Sequence, residues 1–113
     1  ESETWNIKPR LFGRVNVHSI HKAKKGVIRV NAYIAKGKIR EILITGDFII
    51  HPAHAITDLE GMLRGIETKE QHIRSVVNNF YERKKIITPG ANPDDFTSAI
   101  MKAIESLDLD VRT

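Results

Sequence analysis

An α+β fold is predicted: an antiparallel sheet of three to four strands with two to three helices packed on one face. Three observations predict it. The first half of the 113-residue chain alternates apolar and polar residues with the period of a half-buried strand. The second half spaces its apolar residues as helices do. A single change of character, at Phe48, separates the two, as expected of helices segregated to one side of a sheet. A chain of this size buries roughly two-thirds of its unfolded surface, enough for one self-sufficient core. One domain is therefore expected over 1–113, with a lead-in at 1–10, strands within 11–48, helices within 49–107 and a frayed tail at 108–113.

Arg14 to Ile20 reads as the first strand, Val15 and Val17 alternating with Asn16 and His18. Ile28, Val30, Ala32 and Ile34 alternate with Arg29, Asn31 and Tyr33 in the second. Lys36-Gly37-Lys38 is a short glycine turn, after which Ile39 to Thr45 resumes with Ile42 and Ile44 on one face, completing a hairpin.

Pro52 suits the first turn of a helix that carries Ile56, Leu59 and Leu63 and ends at Gly65, a left-handed cap. Thr68-Lys69-Glu70-Gln71 matches a capping box, followed by the stripe Ile73, Val76, Val77 and Phe80 and closed by Arg83, Lys84 and Lys85. Ile86 to Ala91, with Pro89-Gly90, reads as an extended connection or short edge strand. Asn92-Pro93-Asp94-Asp95 starts the last helix, whose buried face is Phe96, Ile100, Ala103, Ile104 and Leu107.

Charge is unevenly placed. Residues 1–45 hold ten Lys/Arg against three Asp/Glu, and residues 46–113 hold eight against eleven, within a net charge of +4. Such polarity favours an acidic partner for one face. Seven aromatics, no RNP-type signature and no G-x-x-G clamp speak against nucleic acid. The absence of cysteine excludes disulfides, thiolate metal sites and cysteine nucleophiles. No apolar run reaches membrane-spanning length, so no membrane partner is expected, and without a secretory leader a cytoplasmic location is. Glu1 in place of an initiating Met suggests a processed or truncated piece of a longer chain.

Phosphate-loop, dinucleotide, nucleophile-elbow and H-E-x-x-H motifs are all missing, and no catalytic residue is assigned. His51 and His54, with Asp47 or Asp58, read as solvated surface groups rather than metal ligands. His18 and His21 have opposite strand parity, and Asp58 and Glu60 diverge on a helix, so neither pair forms an acid/base or ligand set. Three features stand out. Lys22-Ala23-Lys24-Lys25-Gly26 is a basic loop, a solvated turn or an anion contact. Gly46-Asp47-Phe48 is a structural corner, with Phe48 expected to be buried between the sheet and the following helix and Asp47 to hold the turn through backbone hydrogen bonds. Trp5-Asn6, with Pro9, is an anchor for an incoming segment.

The run Lys24-Lys25-Gly26-Val27-Ile28-Arg29-Val30, then Lys36-Gly37-Lys38-Ile39, then Ile42 through Phe48 resembles the C-terminal accessory domain of lipoate–protein ligases. Leu59-Glu60, Leu63-Arg64-Gly65, Trp5-Asn6 with Pro9, and Pro89-Gly90 … Asp95-Phe96 extend the resemblance over residues 4–105. The chain departs from the family in carrying Ile49 where a second aromatic is common, a change of packing more than chemistry. It also lacks the large catalytic domain with its ligand loop and lysine. The resemblance therefore implies either the small subunit of a bipartite ligase or a domain cut from a one-chain enzyme, and the basic loop favours the first expectation.

The resemblance implies an accessory role in ATP-dependent activation of lipoate to lipoyl-AMP and transfer to a lysine of an acceptor. ATP, Mg and lipoate are expected in the catalytic partner, and none is expected to bind this chain alone. Acceptors are lipoyl domains or the glycine-cleavage H protein. Lys22, Lys24, Lys25 and Gly26 are expected to contact the partner or its nucleotide site. Two other readings are an iron–sulfur-scaffold-like binding module, which lacks the cysteines such proteins use, and a basic nucleic-acid-binding domain.

Overall fold

A computed structural model describes the backbone of residues 15–112 and the side chains of residues 15–107. Trp5, Asn6, Pro9 and the rest of the 1–10 lead-in lie outside the described residues. Strands β1 (Val17–Lys22), β2 (Val27–Ala35) and β3 (Lys38–Asp47) are followed by helices α1 (Ala55–Leu63), α2 (Glu70–Lys84) and α3 (Pro93–Arg112). The expected α+β architecture is present: one antiparallel sheet in the order β1-β2-β3 with three helices.

The alternation in β2 sets the inner face. Ile28, Val30, Ala32 and Ile34 are buried, while Arg29 is exposed and Asn31 and Tyr33 are half-buried. Lys36 and Gly37, both at positive φ, make the two-residue turn to β3, in which Ala35 pairs with Lys38. Ile34 faces Ile39 but Tyr33 faces Glu41, so Arg40 is an extra residue. That bulge turns Ile39 inward along with Ile42 and Ile44, although their numbers differ in parity. β1 starts later than expected, at Val17. Its first rung is made by a side chain: Asn16 Nδ2 donates to Ile34 O at 2.8 Å, and Ile34 N–H donates to Asn16 Oδ1 at 2.9 Å.

Helix α3 lies against β1 and β2, α1 against β3, and α2 joins α1 to α3. Leu59, Leu63, Ile73, Val77, Phe80, Phe96, Ala99, Ile100 and Ala103 meet the sheet's inner face in one core. Ile56, Val76, Ile104 and Leu107 are only partly buried against it. The start of α1 is Ala55, whose N–H donates to Pro52 O, so Pro52 precedes the helix rather than opening it.

The capping box at Thr68 does not form. Lys69 is the residue before α2 and makes no side-chain cap. Thr68 instead turns to the hairpin, its N–H donating to Gly37 O at 3.0 Å, because residues 65–68 run along the start of β3. A reciprocal cap does form on α3, where Asp95 N–H donates to Asn92 Oδ1 and Asn92 N–H to Asp95 Oδ2. Backbone helix continues to Arg112, past the end expected at residue 107. Among the described residues no helix is long and apolar enough to cross a membrane.

Candidate functional site

Three stretches singled out in the sequence meet at one corner of the sheet. The β1–β2 connection, Ala23 to Gly26, is closed by Ala23 N–H donating to Gly26 O at 3.0 Å. Ala23 is buried beneath it, leaving Lys24 and Lys25 exposed. Lys25 N–H donates to Gly90 O at 2.8 Å, docking the Pro89-Gly90 turn on the basic loop. That approach requires glycine, since a Cβ at residue 90 would lie 2.3 Å from the Lys25 Cβ.

A second close approach ties the basic loop to the end of β3. Gly26 (φ +115°) and Gly46 (φ +141°) sit on opposite sides of one backbone crossing. A Cβ at Gly26 would lie 2.1 Å from Asp47 O, and a Cβ at Gly46 would lie 2.1 Å from Val27 O. No other residue type fits either place without moving a strand.

Phe48 is half-buried, and its ring meets Phe96 of α3 edge-on at 5.4 Å. The expected position against the following helix is corrected: the chain leaving β3 passes the N-terminal turn of α3 before it reaches α1. Asp47 is exposed and its carboxylate makes no hydrogen bond among the described residues, so the expected side-chain lock on the turn is replaced by the glycine crossing. Lys25, Gly26, Asp47, Phe48, Ile49 and Pro89 line an open recess of about 300 Å³. Beside it, His51 and Ile87 exchange backbone hydrogen bonds of 2.9 and 3.1 Å, and Ile49 and Ile87 are 57% and 60% exposed. Lys22 ends β1 exposed, on the face of the sheet opposite the helices.

The Pro89-Gly90 turn is held from below. Thr88 Oγ1 donates to Ala91 O at 2.9 Å and accepts from the Tyr81 hydroxyl at 2.7 Å. Burial pushes the Tyr81 phenol above its ordinary value, the Thr88 hydrogen bond acts against the shift, and the charge of Asp95 adds to it. At the other end of the loop, His21 of β1 is clamped between two residues of α3. Its Nε2 lies 2.9 Å from Asp95 Oδ1, and its Nδ1 lies 3.0 Å from Lys102 Nζ. Lysine can only donate, so the ring proton sits on Nε2, facing the carboxylate. Sequence reasoning missed this triad, since its members are separated by 74 and 81 positions.

Asp58 and Glu60 diverge as expected: Asp58 pairs with Lys84 at 3.5 Å, and Glu60 is buried against the sheet. Among the described residues no three His, Cys, Asp or Glu side chains are placed to hold a metal ion. What the corner offers is a rigid contact surface: two exposed cations, apolar residues beside them, and a backbone fixed by three glycines.

The family described as the C-terminus of bacterial lipoate protein ligase matches residues 14–100. Subunit 2 of lipoate-protein ligase A from Thermoplasma acidophilum is 42% identical over 79 residues, which cover 70% of this chain and 81% of that one. Among solved structures, a chain from a structural analysis of an archaeal lipoylation system is 40% identical, with a TM-score of 0.68. That system comprises a bipartite lipoate protein ligase and its E2 lipoyl domain, also from Thermoplasma acidophilum, and the match covers 74% of this chain and 91% of that one.

Proposed function

The chain belongs to the family of lipoate protein ligase C-termini, and from that membership we propose that it is the small subunit of a two-part ligase. The catalytic partner holds ATP, Mg and lipoate, forms lipoyl-AMP with release of pyrophosphate, and passes the acyl group to a lysine of a lipoyl-domain or H-protein acceptor. This chain supports the first step by seating its glycine-bound corner on the partner.

The observation that carries this reading is the convergence of Lys24-Lys25-Gly26, Gly46-Asp47-Phe48 and Pro89-Gly90 on one rigid surface. Acyl-adenylates are lost to water, and a small domain that closes over one excludes water and orders the loops around it. Lys24 and Lys25 supply positive charge beside a triphosphate or an acidic rim. The identity and coverage shared with a subunit of a bipartite ligase support a separate subunit over a severed domain.

The test is pyrophosphate release from ATP and lipoate. This chain alone should release none above a heat-killed control. A catalytic subunit lacking its own accessory domain should adenylate lipoate much faster when this chain is added. Release by this chain alone, or an unchanged rate on adding it, overturns the reading.

A further inference from the structure

The two edges of the sheet differ. Along β3 the outward amides are taken: Ile39 N–H donates to Ile66 O at 2.9 Å, and Ile44 N–H to Glu60 Oε2 at 2.8 Å. Along β1 they are not. Ala23 N–H donates to Gly26 O, and residues facing each other across antiparallel strands alternate between bonded and unbonded pairs. The β1–β2 register carries that alternation down the strand. Ser19 and His21 therefore bond to β2, while His18, Ile20 and Lys22 turn their N–H and C=O groups outward. None of these outward groups meets a partner among the described residues.

The open edge is held in place. Ser19 Oγ donates to Ala99 O at 2.6 Å, and His21 is clamped by Asp95 and Lys102, so α3 pins β1 from its inner side. A strand already ordered loses little entropy when another pairs with it. Ile20 stands at the middle of this edge, 61% exposed, with the exposed Lys22 beyond it.

We propose that β1 accepts an extended acidic segment of the catalytic ligase subunit as a fourth strand, a proposal that deepens the small-subunit reading and rests on it. Charge selects this occupant. Residues 15–45 carry seven Lys/Arg against the single carboxylate of Glu41. Lys22, Lys24, Lys25 and Arg29 pair with no carboxylate among the described residues, and Asp95, which does reach β1, is held by His21. A second copy would set these cations against themselves, whereas an acidic strand neutralises them.

The edge runs directly into the Lys24-Lys25 loop, so a strand on β1 and contacts at the corner form one continuous interface. The segment that fits carries an apolar residue beside Ile20 and carboxylates beside Lys22 and the loop. Main-chain bonds to His18, Ile20 and Lys22 supply affinity, and the side chains choose the partner.

Amide hydrogen exchange, read residue by residue, tests this. In the isolated chain the His18, Ile20 and Lys22 amides should exchange fast, and those of Ser19 and His21 slowly. Adding a catalytic subunit that lacks its own accessory domain should slow the first set at least about tenfold. Ile20→Pro removes one outward N–H and spares the β1–β2 ladder. It should keep the circular dichroism of the folded chain and weaken association by about tenfold or more. Ile20→Val keeps the N–H and should associate as the parent does.

Outward amides that still exchange fast in a complex that forms and adenylates lipoate overturn this proposal alone. So does an Ile20→Pro chain that folds and associates like the parent; if that variant does not fold, exchange in the parent decides. Slow exchange in the isolated chain also overturns it. If the slowing is independent of concentration, the chain closes its own edge; if it grows with concentration, a second copy does. If no complex forms, the ligase-subunit reading fails and this proposal with it.

Discussion

The buried carboxylate of Glu60 accepts the backbone N–H of Ile44 at 2.8 Å, so helix α1 caps the outer edge of β3 with a side chain. Edge strands present unpaired amides that invite another chain, and here one is closed from within. Glu60→Ala removes the acceptor and leaves an apolar void. It should cost about 3 kcal/mol in urea denaturation, the range for orphaning a buried polar group. Glu60→Gln keeps an acceptor oxygen and should lose less.

The Gly26–Gly46 crossing sets the second expectation. Alanine at either position places a Cβ 2.1 Å from a carbonyl oxygen at positive φ. Each substitution should destabilise by about 3–5 kcal/mol. At Gly37 a Cβ meets nothing within 4 Å, so Gly37→Ala should cost only about 1 kcal/mol, the penalty for left-handed backbone. Equal costs at the three positions would show that strand separation is not what the glycines permit.

Phe48 is less buried than its sequence position suggests, and its edge contact is to Phe96. Phe48→Ala should therefore cost about 2 kcal/mol, below the range of full core truncation. Phe96→Ala, at a fully buried position, should cost more. Thermal or urea midpoints of the two variants compare them directly.

Replacing Lys22, Lys24 and Lys25 together with Ala should leave stability nearly unchanged, because all three are exposed. If the corner faces the catalytic subunit, the triple variant should weaken association or slow adenylation, and more so at low salt. Support for adenylation equal to the parent at both salt concentrations would make the loop a solvated turn only.

Tyr81 predicts a pH dependence. Its phenol titrates higher in the folded chain than the ordinary 10.0, chiefly through burial. Below that value both states hold the proton and the tyrosine adds no slope. Above it the unfolded chain loses the proton first, so stability falls as pH rises toward the folded value. Tyr81→Phe should flatten this decline in urea midpoints measured from pH 9 to pH 11, and at neutral pH should cost about 1 kcal/mol for the lost Thr88 hydrogen bond.

The strands of β2 and β3, their glycine turn, the three helices and the Asn92 cap were legible because each is written within a few residues. Period two or 3.6 says which side of a segment is apolar, and a cap or turn says where it stops. The corner was legible only as three separate pieces. Their meeting depends on Lys25 N–H reaching Gly90 and on Gly26 facing Asp47, contacts between distant parts of the chain. Thr68 shows the limit most clearly: the local pattern of a capping box is present, yet the hydroxyl and amide turn to Gly37 because residues 65–68 run beside β3. Likewise, nothing near His21 announces Asp95 or Lys102. Periodicity records an apolar face without recording what covers it. The tertiary structure makes that choice, because burial and hydrogen-bond satisfaction are optimised over all the segments at once.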